Sequence, residues 1–148
     1  MVISMANPLQ KLEGDWTIDG YLDSSGVVSP ASGTCKGTFD GETLTLEYDL
    51  TVEMGGRAVP FPVSYSMKNF DEDSQTYEVS NTTRMGPAEG VGKGFPDFLV
   101  SWVYNADMGV TSHTVTTFLS ENELKVVGTS FDDARKYLST LYLHYTRA

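Results

Sequence analysis

Tyrosines set at alternate positions of apolar stretches are where this chain could do chemistry. Tyr48, Tyr65, Tyr77 and Tyr104 fall in segments of period-two alternation, in company with Met67, Asn81 and Trp102. On one face of a strand such residues point the same way. A phenol hydroxyl enclosed by Leu and Val requires a hydrogen-bond partner. An apolar chamber with a few converging polar groups is what a small-molecule site looks like. The predicted ligand-binding set is therefore Tyr48, Tyr65, Met67, Tyr77, Asn81, Trp102 and Tyr104. Were the chamber catalytic, a tyrosine hydroxyl or an imidazole would polarise a carbonyl or move a proton, with Tyr104 and His113 the candidates. The Thr-rich stretch from Val110 to Phe118 leaves both faces open for His113, which points inward if Val115 does and outward if Phe118 takes the interior. From Leu138 to Tyr145 the apolar Leu141, Leu143 and Tyr145 claim the interior, which puts His144 outside.

Other chemistries lack their residues. Cys35 is the single cysteine, which excludes a disulfide framework and a multi-cysteine metal centre. Two histidines cannot make a three-histidine metal site. No Ser–His–Asp or Cys–His pairing is legible, and Cys35 reads as a small core or surface residue and not as a nucleophile. Gly90-Val-Gly92-Lys-Gly94 lacks the Gly-Lys-Ser/Thr of a phosphate cradle and runs into Phe95-Pro96, not into a helix. It reads as part of a long loop, Gly86 to Pro96, placed to act as a lid over a barrel mouth. Asp71-Glu72-Asp73 has neither the glycine nor the distal glutamate of a calcium loop and reads as a solvated turn. Asp132-Asp133 reads as a helix-capping pair. No metal site and no cofactor is implied by these motifs.

The 148 residues carry 10 basic against 20 acidic side chains, a net charge of −10. That surface repels phosphate backbones and anionic bilayers, so neither nucleic acid nor membrane is the expected partner. A small hydrophobic molecule is, and a homodimer stays compatible with the composition. The opening Met1-Val-Ile-Ser-Met5 has no basic-then-apolar export pattern. With one free cysteine, a reducing, cytoplasmic location is expected.

The elements that must hold these residues are strands. Thr43 to Glu53 alternates without a break, with Leu44, Leu46, Tyr48, Leu50 and Val52 on one face. Val59 to Met67 repeats the pattern with Pro60 and Pro62 outward, and Tyr77 to Met85 follows a polar turn. Further strands are read at Asp15–Leu22, Gly33–Phe39, Phe98–Tyr104, Val110–Leu119, Leu124–Thr129 and Tyr137–Arg147, with Ser24–Pro30 as a loop. Parity puts Val63, Val79, Phe98, Val100, Trp102 and Tyr104 inside along with the tyrosines. Helical signal is confined to Asn7–Leu12, capped by Asn and Pro and ended by Gly14, and to a second possible turn at Ser130–Lys136. Long antiparallel strands on short turns hide their edges by closing, which predicts an all-β, up-and-down barrel of about eight to ten strands. The rival two-sheet sandwich expects Greek-key links and a Cys…Trp…Cys core, neither of which is legible. One domain over 1–148 is expected, with 1–6 a flexible leader.

Leu9-Gln-Lys-Leu12-Glu-Gly14-Asp-Trp16 resembles the start of a lipocalin-like (calycin) protein, where a short helical turn leads to Gly-x-Trp on the first strand. Tyr145-Thr146-Arg147 resembles the last strand of that superfamily. The resemblance implies that Arg147 stacks across Trp16 and closes one end of the barrel. It extends to a bacterial subgroup of lipocalin-like domains, mostly of unknown function, through Gly55-Gly56, Phe70-Asp71 with Tyr77, and the terminal Tyr-Thr-Arg. A more distant likeness to nitrobindin-like haem barrels implies an axial histidine in the region of His144, although Asp15–Gly20 lacks the glycine that follows Trp in that branch.

Two functions follow as expectations. The first is a binding barrel that holds a small hydrophobic or aromatic molecule inside the cell. The second is a cofactor-independent cyclase or isomerase on the same scaffold, acting on a hydrophobic biosynthetic intermediate by holding it in a reactive fold.

Overall fold

The computed structural model describes residues 7–148; the expected leader at 1–6 lies outside them. A 3-10 turn, Pro8–Leu12, is followed by ten strands: β1 Gly14–Ser24, β2 Val27–Phe39, β3 Leu44–Met54, β4 Arg57–Asp71, β5 Thr76–Thr83, β6 Gly86–Gly94, β7 Phe98–Asn105, β8 Val110–Phe118, β9 Glu123–Asp132 and β10 Tyr137–Arg147. Each strand pairs antiparallel with the next, and β1 pairs with β10, so the sheet closes into an up-and-down barrel. In a ten-stranded ring, strands five apart in order face one another across the lumen.

Local chemistry explains the turns and bends. The Asn7 side chain accepts from the Leu9 N–H at 3.0 Å and Pro8 opens the 3-10 turn. Gly55 and Gly56, both at positive φ, form the two-residue connection between β3 and β4, which favours two glycines because both central positions are left-handed. At Gly90 a Cβ would lie 1.6 Å from the Trp102 carbonyl oxygen, so β6 folds this tightly against β7 only because it carries no side chain there.

The two ends of the barrel differ. Leu9 and Leu12 of the 3-10 turn are buried and plug the end where β1 starts. Trp16 donates from Nε1 to the Leu12 carbonyl at 3.0 Å. Arg147, opposite Trp16 in the β1–β10 register, lies with its guanidinium carbon 4.2 Å from the Trp16 ring. It donates to the carbonyls of Glu13 at 2.7 Å, Glu121 at 2.9 Å and Lys11 at 3.3 Å. A cation held over an indole is worth ~2 kcal/mol when desolvated. At the other end only hairpin turns meet.

Several sequence expectations are corrected. Gly86–Gly94 is strand β6, paired on both sides, so the glycine-rich segment is no lid. Most of Ser24–Pro30 belongs to β2, leaving a tight turn at Ser25-Gly26. The second helical turn does not form: Ser130–Asp132 completes β9. Asp132 accepts from the Lys136 N–H at 2.8 Å within a hairpin turn, and Asp133 caps no helix.

Candidate functional site

Residues directly opposite in an antiparallel pair share a face, so the register fixes what lines the lumen. Tyr48 stands opposite Cys35 and Val63, and Tyr65 opposite Leu46 and Asn81. Tyr77 stands opposite Gly92, and Met67 opposite Leu44 and Val79. These expected ligand-site residues face inward. Tyr145 joins them, donating its hydroxyl to that of Tyr48 at 2.6 Å. The rings of Trp16, Tyr145, Tyr48 and Tyr65 meet edge to face in series, at centroid separations of 6.3, 6.0 and 5.8 Å. This aromatic floor sits above the Trp16–Arg147 cap.

Trp102, Tyr104 and His113 are corrections. Register pairs Val103 with Gly90 and Ser101 with Gly92, which are inward, so Phe98, Val100, Trp102 and Tyr104 stand on the outside. Trp102 is 39% and Tyr104 44% exposed. His113 pairs with Trp102 and is outside too. Phe118 takes the interior opposite buried Leu124, which resolves the alternative left open for β8. The Tyr104 hydroxyl donates to Asp133 at 3.0 Å and serves the surface, not the chamber. Trp102, His113, Phe131 and Tyr137 form an outer aromatic row with centroids 5.9–6.2 Å apart.

His144 is outside, its ring 3.2 Å from Glu123 and 3.7 Å from Asp19. Both histidines therefore lie on the outer wall. The axial ligand that the haem likeness implied cannot reach an iron in the lumen, and the residues do not fit that group.

Burial sets the protonation of the inner groups. It pushes the Cys35 thiol up to about 12, and it raises Tyr48 and Tyr145 well above the ordinary phenol value. Tyr65 is raised by burial and partly held back by the Asn81 amide. Tyr77 is raised by burial alone. All five stay protonated and neutral at pH 7. Between the Arg147 cap and the rim, register places no charged side chain on the inner face among the described residues; Asp132, opposite Val110, and Arg57, opposite Met54, take the inner parity at the rim itself. Below the rim the lumen is uncharged.

Access is graded along the barrel. Inner residues near the floor, such as Trp16, Leu44, Leu99 and Leu124, are buried. Tyr65, Phe61, Val63, Ser112, Thr114, Val126, Ser130 and Leu141 point inward yet are only half-buried. Most of these side chains stand toward the end opposite the cap. Ser112, Thr114 and Ser130 escaped the sequence analysis, because Ser and Thr on a strand read as its solvent face. The available signal was the parity they share with Phe118 on β8 and with Leu124 and Val126 on β9.

No protein-family model matches the chain, and no curated protein matches it. Solved structures do resemble it. The S-type phycobiliprotein lyase CPES from Guillardia theta superposes with a TM-score of 0.70 at 9% identity, over 95% of this chain and 90% of that one. The structure of EF1p2_mFAP2b bound to DFHBI gives 0.58 at 13% identity, over 98% of this chain and 100% of that one. A de novo designed fluorescence-activating β-barrel gives 0.54 at 12% identity, over 97% of this chain and 100% of that one. At these identities the likeness establishes the fold alone, a closed up-and-down antiparallel barrel.

Proposed function

We propose that this lipocalin-like barrel binds one neutral, largely apolar or aromatic molecule in its lumen, entered from the end opposite the Trp16–Arg147 cap. The observation that carries this is the set of half-buried side chains on the inner wall, Tyr65, Val63, Ser112, Thr114 and Leu141, above a sealed aromatic floor. A ligand without charge suits a wall without charge, since a buried ion lacking a partner costs several kcal/mol. That one barrel of this fold is described as bound to DFHBI supports the lumen as a place for a small molecule. Tyr65 and Asn81 orient the ligand, and Tyr48 and Met67 contact its apolar body. The single cysteine, kept as a thiol, suits a cytoplasmic setting; no helix among the described residues is long and apolar enough to cross a membrane.

Catalysis by Tyr104 or His113 is disfavoured because both stand on the outer wall. The remaining inner hydroxyls hold their protons at neutral pH and act as donors, not bases.

Titration with the neutral dye N-phenyl-1-naphthylamine tests binding. We expect a saturable fluorescence increase, weakened about two- to tenfold in Tyr65→Phe with an unchanged melting midpoint. Gly128→Phe, which fills the inner face beside Thr114, abolishes the signal. Dye binding that survives in the filled variant would place the dye on the outer aromatic row and defeat the proposal.

A further inference from the structure

The inner wall has two faces of different chemistry. On β3 and β4, Leu46, Leu50, Val52, Phe61 and Val63 present hydrocarbon, interrupted by the Tyr48 and Tyr65 hydroxyls. Diametrically across, β8 and β9 present Ser112, Thr114, Thr116 and Ser130. Ser112 and Ser130 are register partners with their hydroxyl oxygens 3.0 Å apart. Ser139 on β10 continues the row from Ser130, and Ser101 on β7 continues it from Thr114. The Thr114 hydroxyl lies over Gly128, 3.5 Å from where a Cβ would stand, so its register partner on β9 puts no side chain over it.

A second observation lies at the edge of this row. The Tyr77 hydroxyl is the one fully enclosed side-chain polar atom among the described residues with no hydrogen-bond partner. Its ring lies flat on Gly92, the register partner of Ser101. A buried donor without an acceptor costs about 1–3 kcal/mol, and a ligand acceptor at that edge removes the cost.

Given the lumen as the binding site, we infer that the ligand is a planar neutral molecule whose one long edge carries several carbonyl or hydroxyl groups. That edge lies against Ser112, Thr114 and Ser130, and the hydrocarbon edge against β3 and β4. Neutral hydroxyls both donate and accept, so the wall suits a quinone- or phenol-bearing ring system. A fatty acid would find no cation for its carboxylate there. Lining this wall with hydroxyls otherwise sacrifices apolar burial, because Val has the shape of Thr at Thr114 and Ala occupies less space than Ser at Ser112 and Ser130.

The experiment compares two probes, N-phenyl-1-naphthylamine and the neutral 1,8-dihydroxyanthraquinone, which carries three of its four oxygens along one long edge, on the full chain. In Ser112→Ala/Thr114→Val/Ser130→Ala we expect naphthylamine affinity unchanged or improved and quinone affinity reduced at least tenfold. Tyr77→Phe should raise the melting midpoint in either case, and should bind the quinone two- to tenfold more weakly, which loss of a purely structural hydroxyl would not do. The single Ser112→Ala variant reads the same contrast if the triple variant does not fold. Unchanged quinone affinity in these variants, with naphthylamine still bound, overturns the orientation and leaves the lumen as the site. Wild-type protein that binds neither probe defeats the lumen itself.

Discussion

On the outside of β3 and β4 stand Glu47, Asp49, Glu53, Ser64 and Lys68; on the outside of β7, β8 and β9 stand Trp102, Val115 and Phe131. The inner faces differ in the opposite sense, with Leu46, Leu50 and Val63 in the first region and Ser101, Ser112, Thr114 and Ser130 in the second. One side of the barrel is apolar within and charged without. The other is rich in hydroxyls within and aromatic without. Alternation therefore separates two faces of a strand but does not say which is the core. In β3 the charges decide it. In β7 both faces are uncharged, and the larger apolar side chains point to water.

The reason lies in the volume of the lumen. Its cross-section near the floor is already filled by the rings of Trp16, Tyr48, Tyr145 and Tyr77, the last lying over Gly92. Opposite that ring β7 has room for Ser101 and Val103, not for Trp102, since overpacking a core costs about 1–3 kcal/mol.

The contrast can be broken by mutation. Leu46→Ala, on the inner face of β3 at 2% exposure, should lose about 2–5 kcal/mol in chemical denaturation. An alkaline titration should show the next largest effect. Cys35, Tyr48, Tyr65, Tyr77 and Tyr145 keep in the native state protons that the unfolded chain releases, from about pH 9 for the thiol. Stability is thus fully present below that pH and is lost as pH rises toward the native values. The melting midpoint should be level from pH 7 to about 9 and then fall, and Tyr77→Phe should flatten the fall. A midpoint level to about pH 11 would mean that the inner hydroxyls meet water in the native state.

The smallest effect is expected at Trp102. Trp102→Ser removes a large aromatic side chain from the outer face and should cost below ~1 kcal/mol, the worth of a cross-strand pair. A loss matching that of Leu46→Ala would erase the distinction between the two regions. A loss that grew with protein concentration would show a second copy seated on the aromatic row.

Much of the architecture was legible in the residues themselves. The alternation of β3 and β4, the Gly55-Gly56 turn and the Asn7-Pro8 cap depend on neighbours in sequence, and each appears where its local chemistry puts it. The Leu-x-x-Leu-x-Gly-x-Trp opening and the Tyr-Thr-Arg ending pointed to a capped end, and Arg147 lies over Trp16 there. Tyr48, Tyr65, Tyr77 and Asn81 could be placed on inner faces because the polar residues that alternate with them marked the outer ones, whereas the inner place of Cys35 opposite Tyr48 came only with the β2–β3 register. Only tertiary structure could assign β6 to β9. The alternation of β6 sets Gly or Ala against Pro87, Glu89, Val91 and Lys93, with no large apolar side chain to mark an inner face, and the strand forms because β5 and β7 supply hydrogen bonds on both sides. Which face of β7 turns inward depends on the register that ring closure imposes through β6, and no residue type within Phe98–Asn105 encodes it. The same closure carries Ser112, Thr114 and Ser130 from apparent solvent positions to the wall that faces Leu50 and Val63. A local pattern records hydrophobicity, whereas the side of the sheet that becomes the lumen is settled by where the other nine strands run.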